Sequence, residues 1–347
     1  MRRASIAKAV LGWIVVAGSA CGSARTEKSE LARFEFEAAQ MGTQFRIVLY
    51  APDAQVAGAA ADAAFARLRE LDARLSDYDP ESELSRLSQQ SDLEVPTPWI
   101  PVSKDLARVL ARADEISAAT DGAFDVTCGK ATKLWRRAIR EGELPTAEAL
   151  EQARASIDWR SVEVSQELDR VRLVRLGMGL DLGGIAKGYA LDEMLVALAE
   201  HGVRAALVDG GGDVAASDAP PGEPGWRVEL SAVTLDQASP HRTVILSHAA
   251  VATSGDLYRA VQIGGLRYSH IVDPGTALGL TTQCGASVVA RDGMTADALA
   301  TAATVLGIQG SEPLWKSFES CAFRVVARTE RGFEVRESPR FRRFQAR

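Results

Sequence analysis

The order of the predicted strands and helices constrains the fold of this chain most. Residues 34–50 alternate polar and apolar side chains as two strands, separated by the break Met41-Gly42-Thr43. Apolar side chains at helical spacing predict helices at residues 54–75, 104–120, 143–155, 186–200 and 295–306. Short strands dominate the second half, without the strand–helix–strand rhythm of a doubly wound sheet. The sequence therefore predicts an α+β fold with mixed, largely antiparallel sheets and packed helices.

Composition and charge exclude some partners. The 347-residue chain is 46% hydrophobic and 25% charged, as globular proteins are, and its formal net charge is −6. Its basic residues are spread along the sequence and form no Lys/Arg stripe with interleaved aromatics, so nucleic acid is not an expected partner. An acidic protein that binds phosphate groups needs a metal ion or a helix N-terminus to hold them.

The first residues resemble a bacterial export signal. A short basic segment precedes an apolar run at residues 9–17 that is too short to span a membrane, and small residues then lead to Cys21. This pattern resembles the lipobox of bacterial lipoproteins, with ordinary signal cleavage near Ala20 as the alternative. We expect a signal peptide at residues 1–21 that ends at the lipidated Cys21, a tether at 22–33 and one domain at 34–347. Such a protein would be exported, lipid-anchored to a bacterial membrane, and would face the periplasm.

Three further cysteines, Cys128, Cys284 and Cys321, lie far apart in the sequence. They show no C-x-x-C spacing and no partnering histidine, so a zinc site is not predicted. In an oxidising compartment two of them could form a disulfide and leave one thiol, and the sequence does not select the pair.

Asp297 and Thr301 are four residues apart in a predicted helix and therefore lie on the same face. A carboxylate and a hydroxyl are hard oxygen ligands that suit Mg²⁺ or Ca²⁺ better than zinc. The spacing alone also fits a plain helix start, in which Asp297 interacts with the helix dipole and Thr301 only packs.

Two glycine-containing segments and one histidine are further candidates. Residues 181–188 place glycines and Lys187 at the start of a predicted helix, which suits a phosphate site or a tight turn with a solvated lysine. Residues 252–259 combine hydroxyls, an acid and Arg259, as in an anion-binding turn or a capped turn with a surface salt bridge. His270 lies beside an apolar pair, where a structural role and a catalytic role both remain open.

The order of these weak signals is more specific than any one of them. From residue 34 to its end, the chain resembles the ApbE family, the FAD:protein FMN transferases. The matching blocks are Met41-Gly42-Thr43, residues 75–87, residues 122–125 with Leu134-Trp135, residues 181–188, 209–213 and 252–259, the segment around His270, and residues 297–301.

The resemblance implies an ApbE-like, T-fold-like structure and assigns roles to individual residues. It implies a Mg²⁺ ion held by the Gly184 carbonyl, Asp297 and Thr301. It implies contacts with FAD from residues spread over the chain: Met41, Tyr78, Ala123, Phe124, Asp125, Asp181, Lys187, Arg259, His270 and Ile271. His270 is the expected general base, or the residue that orients the substrate.

The implied reaction is the Mg²⁺-dependent transfer of FMN from FAD to a Thr or Ser hydroxyl of a target protein, with release of AMP. Membrane-associated redox subunits are the implied acceptors. Two alternatives remain open: an FAD pyrophosphatase that uses water as nucleophile, and a non-catalytic flavin-binding lipoprotein. After Asp273-Pro274 the family's usual Arg-Thr-Gly is replaced by residues 275–279, which removes an arginine beside the site and bears on substrate affinity or acceptor docking.

Overall fold

A computed structural model describes residues 31–230, 241–255 and 260–346 of the chain. The strands are β1 (Ala32–Gln40), β2 (Thr43–Ala51), β3 (Ile100–Pro101), β4 (Val162–Val164), β5 (Arg170–Leu173), β6 (Ala206–Gly210), β7 (Asp213–Ala216), β8 (Trp226–Leu230), β9 (Arg242–Leu246), β10 (Ala249–Ser254), β11 (Ala260–Ile263), β12 (Leu266–Ser269), β13 (Val272–Asp273), β14 (Leu278–Gly279), β15 (Cys284–Ala290), β16 (Ala322–Thr329) and β17 (Gly332–Glu337). The helices are α1 (Ala54–Leu75), α2 (Glu83–Gln90), α3 (Lys104–Ala119), α4 (Gly129–Glu141), α5 (Ala147–Ala155), α6 (Ala186–Glu200), α7 (Gly293–Ser311) and α8 (Leu314–Ser317), with 3-10 turns at Trp159–Ser161 and Pro339–Phe344. The predicted signal peptide with Cys21, most of the tether, and Arg259 lie outside the described residues.

An eight-stranded sheet in the order β1-β2-β6-β7-β10-β15-β16-β17 forms the centre of the molecule, and every neighbouring pair is antiparallel. Successive side chains of a strand point to opposite faces. In β2, Ile47 and Leu49 pack into the core beneath α1, α6 and α7, while Val48 packs on the other face beneath β8, β9 and the C-terminal 3-10 turn. Burial of both faces explains why β15 is apolar or small throughout. The predicted α+β class is confirmed.

Most predicted elements are confirmed, and the differences have local causes. The helix at residues 54–75 matches α1, and Ser103 caps α3 by accepting a hydrogen bond from Leu106 N. The helix predicted at 143–155 is wrong at its start, because Gly142 (φ +73°) ends the unpredicted α4 and Thr146 caps the next helix at Ala147. The helix predicted at residues 295–306 is wrong at its end, because α7 only kinks at Gly307 (φ +67°) and continues to Ser311.

Cys128, Cys284 and Cys321, the three cysteines in the described part of the chain, form no disulfide with one another. Among the described residues, no helix is long and apolar enough to cross a membrane.

Helices α6 and α7 cross at two glycines. A β-carbon on Gly188 would lie 2.0 Å from the Gly293 carbonyl oxygen, well inside van der Waals contact. Only glycine allows the two backbones to approach this closely. The contact fixes the position of Asp297, which lies one turn further along α7.

A partly buried ion-pair network, centred on the buried Asp105, ties α6 to α1 and α3. Arg67 on α1 donates to Asp105 Oδ2 and to Glu193 Oε2, each at 3.0 Å, and Tyr189 OH donates to Asp105 Oδ1 at 2.7 Å. Burial alone would raise the pKa of Asp105, but the bonds from Arg67 and Tyr189 outweigh it and lower that pKa to about 2. The carboxylate therefore stays charged at neutral pH.

We expect Asp105→Ala to lower the free energy of unfolding by about 3 kcal/mol, because it removes a buried carboxylate and leaves the half-buried Arg67 guanidinium with one carboxylate partner fewer. Urea unfolding at pH 7 would measure the loss. Glu151→Ala is the control, since its bridge to Arg154 is exposed and should contribute less than about 1 kcal/mol. Equal losses in the two variants would contradict a stabilising role for the network.

Candidate functional site

Three charged side chains form a cluster where the start of α6 faces α7, and we call Lys187, Asp213 and Asp297 the acid–lysine cluster. Lys187 Nζ lies 2.5 Å from Asp213 Oδ2 and 3.2 Å from Asp297 Oδ2. Gly188 N also donates to Asp297 Oδ2 at 3.1 Å, and Thr253 N donates to Asp213 Oδ1 at 3.1 Å. Lys187 is thus paired rather than solvated, and the alternative of a surface lysine is wrong.

The electrostatics of this cluster follow from its burial. Burial alone would lower the pKa of Lys187, but the charges of Asp213 and Asp297 outweigh it and raise that pKa, so the ammonium remains charged. Burial raises the pKa of Asp297, and Lys187 offsets the shift only in part. Asp297 is 4% exposed, and Asp292, not Asp297, caps α7 by accepting from Thr295 N at 2.7 Å. Asp297 is therefore a buried polar group and not a dipole partner at the helix start.

Gly184 lies directly against the side chain of Thr301. A β-carbon on Gly184 would lie 3.0 Å from Thr301 Oγ1 and 3.3 Å from Phe124 Cε2. Thr301 is one turn beyond Asp297 on α7. The fold therefore brings Gly184, Asp297 and Thr301, the three predicted cation ligands, to neighbouring positions. A larger side chain at position 184 would fill the space beside Thr301.

The turn that leads into α6 is organised by Asp181. Its Oδ1 accepts a hydrogen bond from Gly183 N at 2.8 Å, and its Oδ2 lies 3.3 Å from an Arg136 nitrogen. Arg136 also pairs with Asp77, and its guanidinium carbon lies 4.1 Å from the centre of the Tyr78 ring. Two residues predicted to contact FAD, Tyr78 and Asp181, are thus joined through Arg136.

The segment with Ala123, Phe124 and Asp125 lies beside Gly184, because the Phe124 ring borders that position. The Asp125 carboxylate is fully engaged inside the protein: it accepts from Thr127 N at 2.7 Å and from Trp159 N at 3.1 Å. Burial raises the pKa of Asp125. These contacts describe a carboxylate that shapes its own loop, and a contact between its side chain and FAD remains a prediction.

Met41 lies at the β1–β2 turn with φ +49°, and its N–H lies 3.4 Å from Asp72 Oδ2 on α1. His270 and Ile271 lie between the β11–β12 and β13–β14 hairpins. That segment is attached to α4, because Trp135 Nε1 donates to the Ser269 carbonyl at 2.8 Å. The roles predicted for Met41, His270 and Ile271 stay predictions.

The sequence-based predictions assign no role to two residues of this site, Asp213 and Arg136. Asp213 directly follows the glycine turn at residues 210–212. An acidic residue beside a turn that could bind phosphate is the sequence pattern that could have indicated it. Arg136 lies on α4, and the helix itself was not predicted. Among the described residues, no group of three His, Cys, Asp or Glu side chains could hold a metal ion. A cation here would therefore need backbone and hydroxyl oxygens as well.

The start of α7, which positions Asp297, is held by a second carboxylate. Asp192 Oδ1 accepts from Gly293 N at 2.7 Å, and Oδ2 accepts from Met294 N at 3.0 Å. Burial raises the pKa of Asp192 to about 7, with further increases from the charges of Asp292 and Glu193, although the two backbone bonds act in the opposite direction.

Because this pKa is raised on folding, the stability that Asp192 contributes is present at low pH and is lost as pH rises through about 7. We expect Asp192→Asn to flatten the fall in the free energy of unfolding between pH 5 and pH 8. Urea unfolding of both proteins at each pH would measure the slopes. Parallel profiles would show that Asp192 does not titrate in this range.

The chain is similar in sequence and in fold to proteins of one known family. The model of the ApbE family matches residues 41–324. The chain is 31% identical over 325 residues to the FAD:protein FMN transferase of Treponema pallidum, covering 89% of this chain and 87% of that protein. It is 30% identical over 283 residues to the FAD:protein FMN transferase of Haemophilus influenzae, covering 80% of each. Its fold is similar to the flavin transferase ApbE from Vibrio cholerae, with a TM-score of 0.79, 25% identity, and coverage of 90% of this chain and 99% of that one.

Proposed function

Because this chain belongs to the ApbE family, we propose that it transfers FMN from FAD to a Thr or Ser hydroxyl of target proteins, with the help of Mg²⁺. In this reaction a bond forms between the acceptor oxygen and the FMN phosphorus, the pyrophosphate bond of FAD breaks, and AMP leaves. The hydroxyl proton passes to a base on the protein. The shared name of the relatives supports the flavin donor and the protein acceptor.

The observation that carries the Mg²⁺ assignment is the convergence of Gly184, Asp297 and Thr301. A carbonyl, a carboxylate and a hydroxyl are the hard oxygen donors that Mg²⁺ prefers. Both described bonds to Asp297 fall on Oδ2, so Oδ1 is the oxygen that we assign to the cation. The glycine at position 184 keeps the space beside Thr301 Oγ1 open. When bound there, Mg²⁺ would neutralise charge on the pyrophosphate oxygens and on AMP.

The protein's own residues bind and orient the nucleotide. Lys187 keeps a positive charge next to Asp297, and we assign its ammonium group to the pyrophosphate. We assign His270 as the base that takes the hydroxyl proton, since a neutral imidazole has a suitable pKa near pH 7. The remaining predicted contacts, Met41, Tyr78, residues 123–125, Asp181, Arg259 and Ile271, would hold the flavin and adenosine parts.

One assay separates transfer from the two alternatives. The protein is incubated with FAD, Mg²⁺ and a candidate acceptor, and covalent flavin fluorescence on the acceptor, AMP and free FMN are measured. Labelled acceptor with AMP supports transfer, and free FMN with AMP and no label supports hydrolysis. Intact FAD, under conditions in which a relative labels the same acceptor, would leave only flavin binding and would contradict the proposal.

We place the enzyme outside the cytoplasm, lipid-anchored through Cys21 and facing the periplasm, where membrane-associated redox subunits would be its acceptors. The sequence of the first 21 residues supports this placement. We expect Cys21→Ser to move the protein from the membrane fraction to the soluble fraction. A variant that stays in the membrane fraction would contradict lipidation of Cys21.

A further inference from the structure

Arg136 is held in place by two buried carboxylates. Its side chain is 25% exposed, while the side chains of its partners Asp77 and Asp181 are 7% and 8% exposed. A guanidinium bound by two such carboxylates loses most of its rotational freedom, so its plane is fixed by the fold. Asp77 follows the end of α1 and Asp181 precedes α6, so Arg136 on α4 joins three separate parts of the chain.

The ring of Tyr78, unlike the side chain of Arg136, is largely exposed to solvent. Tyr78 is 75% exposed, which is unusual for a large aromatic side chain, and the Arg136 guanidinium covers one face at 4.1 Å from the ring centre. Cation–π contacts of this kind prefer the face of the ring over its edge. In the described part of the chain, the guanidinium thus covers one face of a ring that is otherwise largely exposed.

We propose that Arg136 is a positioning residue that holds one face of Tyr78, so that the opposite face stacks on a planar ring of the bound flavin nucleotide. An exposed tyrosine without such support would change rotamer freely and would lose conformational entropy when it stacks. Arg136 keeps the ring oriented before the nucleotide binds. The inference rests on the proposed function, because it concerns the same nucleotide.

The neighbourhood of Tyr78 supports a nucleotide as the partner. Asp181, which binds the same guanidinium, begins the turn that contains Gly184 and leads to Lys187. A ring stacked on Tyr78 would therefore belong to a molecule that also reaches the proposed cation site. FAD carries two planar rings, isoalloxazine and adenine, and either one has the chemistry to stack on tyrosine.

The test compares Arg136→Lys with Tyr78→Ala and with the double variant. Lysine keeps a cation for Asp77 and Asp181 but removes the flat guanidinium. We expect Arg136→Lys and Tyr78→Ala each to raise KM for FAD by about tenfold with kcat within twofold of wild type. In the double variant KM should equal that of Tyr78→Ala alone, because Arg136 acts through the ring. Quenching of flavin fluorescence on binding should weaken in all three.

The matched control is Arg172→Lys. Arg172 also lies over an aromatic ring, 5.0 Å from the centre of Trp99, and also binds a carboxylate, Glu163. This variant should keep KM for FAD and the fluorescence quenching of wild type. A thermal unfolding measurement on Arg136→Lys serves as the folding control, and we expect a cooperative transition like that of wild type.

Inhibition by FMN and by ADP identifies the stacked ring. If Arg136→Lys weakens inhibition by FMN alone, the ring is isoalloxazine, and if it weakens inhibition by ADP alone, the ring is adenine. Either result supports the proposal. A KM within twofold of wild type, or a double variant in which the two increases multiply, would overturn it. If the wild-type protein itself did not turn over FAD, that result would instead reject the proposed function.

Discussion

Replacing Asp297 with alanine is expected to lower the rate of FMN transfer by at least about a thousandfold, because the substitution removes the only charged ligand that we assign to the cation. It also takes one of two carboxylates from Lys187, so the ammonium would reorient towards Asp213. Asp297→Asn is the closer test, since the amide oxygen can still accept from Gly188 N while the negative charge is gone. The measurement is the single-turnover rate of acceptor labelling over a range of Mg²⁺ concentrations.

The controls separate loss of the ligand from loss of the fold. Thr301→Val should raise the Mg²⁺ concentration needed for half-maximal rate by about tenfold or more, because it removes a ligand oxygen without a change in volume. Thr304→Val is the matched variant on the same helix: its hydroxyl donates to the Ser254 and Ala300 carbonyls and has no assigned role in cation binding. Its Mg²⁺ dependence should equal that of wild type. Asp297→Ala with more than a tenth of wild-type activity would show that our metal assignment is wrong.

Local sequence patterns were sufficient to predict the helices and strands that have clear caps and a clear hydrophobic periodicity. The break at Met41-Gly42-Thr43 separates β1 from β2, and Ser103 starts α3. The signal failed for α4, where Ala131, Trp135 and Ala138 are the buried hydrophobic residues and basic residues occupy most of the other face. Its burial depends on the β11–β14 hairpins, more than 100 residues further along the chain, which a local pattern does not contain.

Local sequence patterns also could not predict the contacts within the candidate site. Spacing alone placed Asp297 and Thr301 on one helix face, but it could not show that Lys187, 110 residues away, would lie 3.2 Å from Asp297. The contact depends on two glycines that let α6 and α7 cross closely. Only the ordered set of family motifs linked these segments before the structure did. Arg136 belongs to none of those motifs, and its partners became evident only from the fold.

The crossing of α6 and α7 should therefore tolerate substitution poorly. We expect Gly188→Ala to lower the free energy of unfolding by more than about 4 kcal/mol, since its β-carbon would lie 2.0 Å from a backbone oxygen that no rotamer change can move away. Gly293→Ala should behave similarly, because its β-carbon would lie 2.5 Å from the Gly188 carbonyl oxygen. Urea unfolding measures both losses, and soluble yield reports on variants that do not fold.

Gly310→Ala is the control for the crossing. Gly310 is exposed near the end of α7, and its β-carbon would meet only the side chain of Leu306, at 3.1 Å. Alanine favours the helix over glycine by about 1 kcal/mol, which offsets the close contact with Leu306, so this variant should lose much less stability than Gly188→Ala. If Gly188→Ala remained as stable as Gly310→Ala, the helices would have room to separate. Asp297 would then lose its bond from Gly188 N, and transfer should still fall although the protein stays folded. Activity measured beside stability thus shows whether the close crossing serves the fold alone or also holds the carboxylate in position.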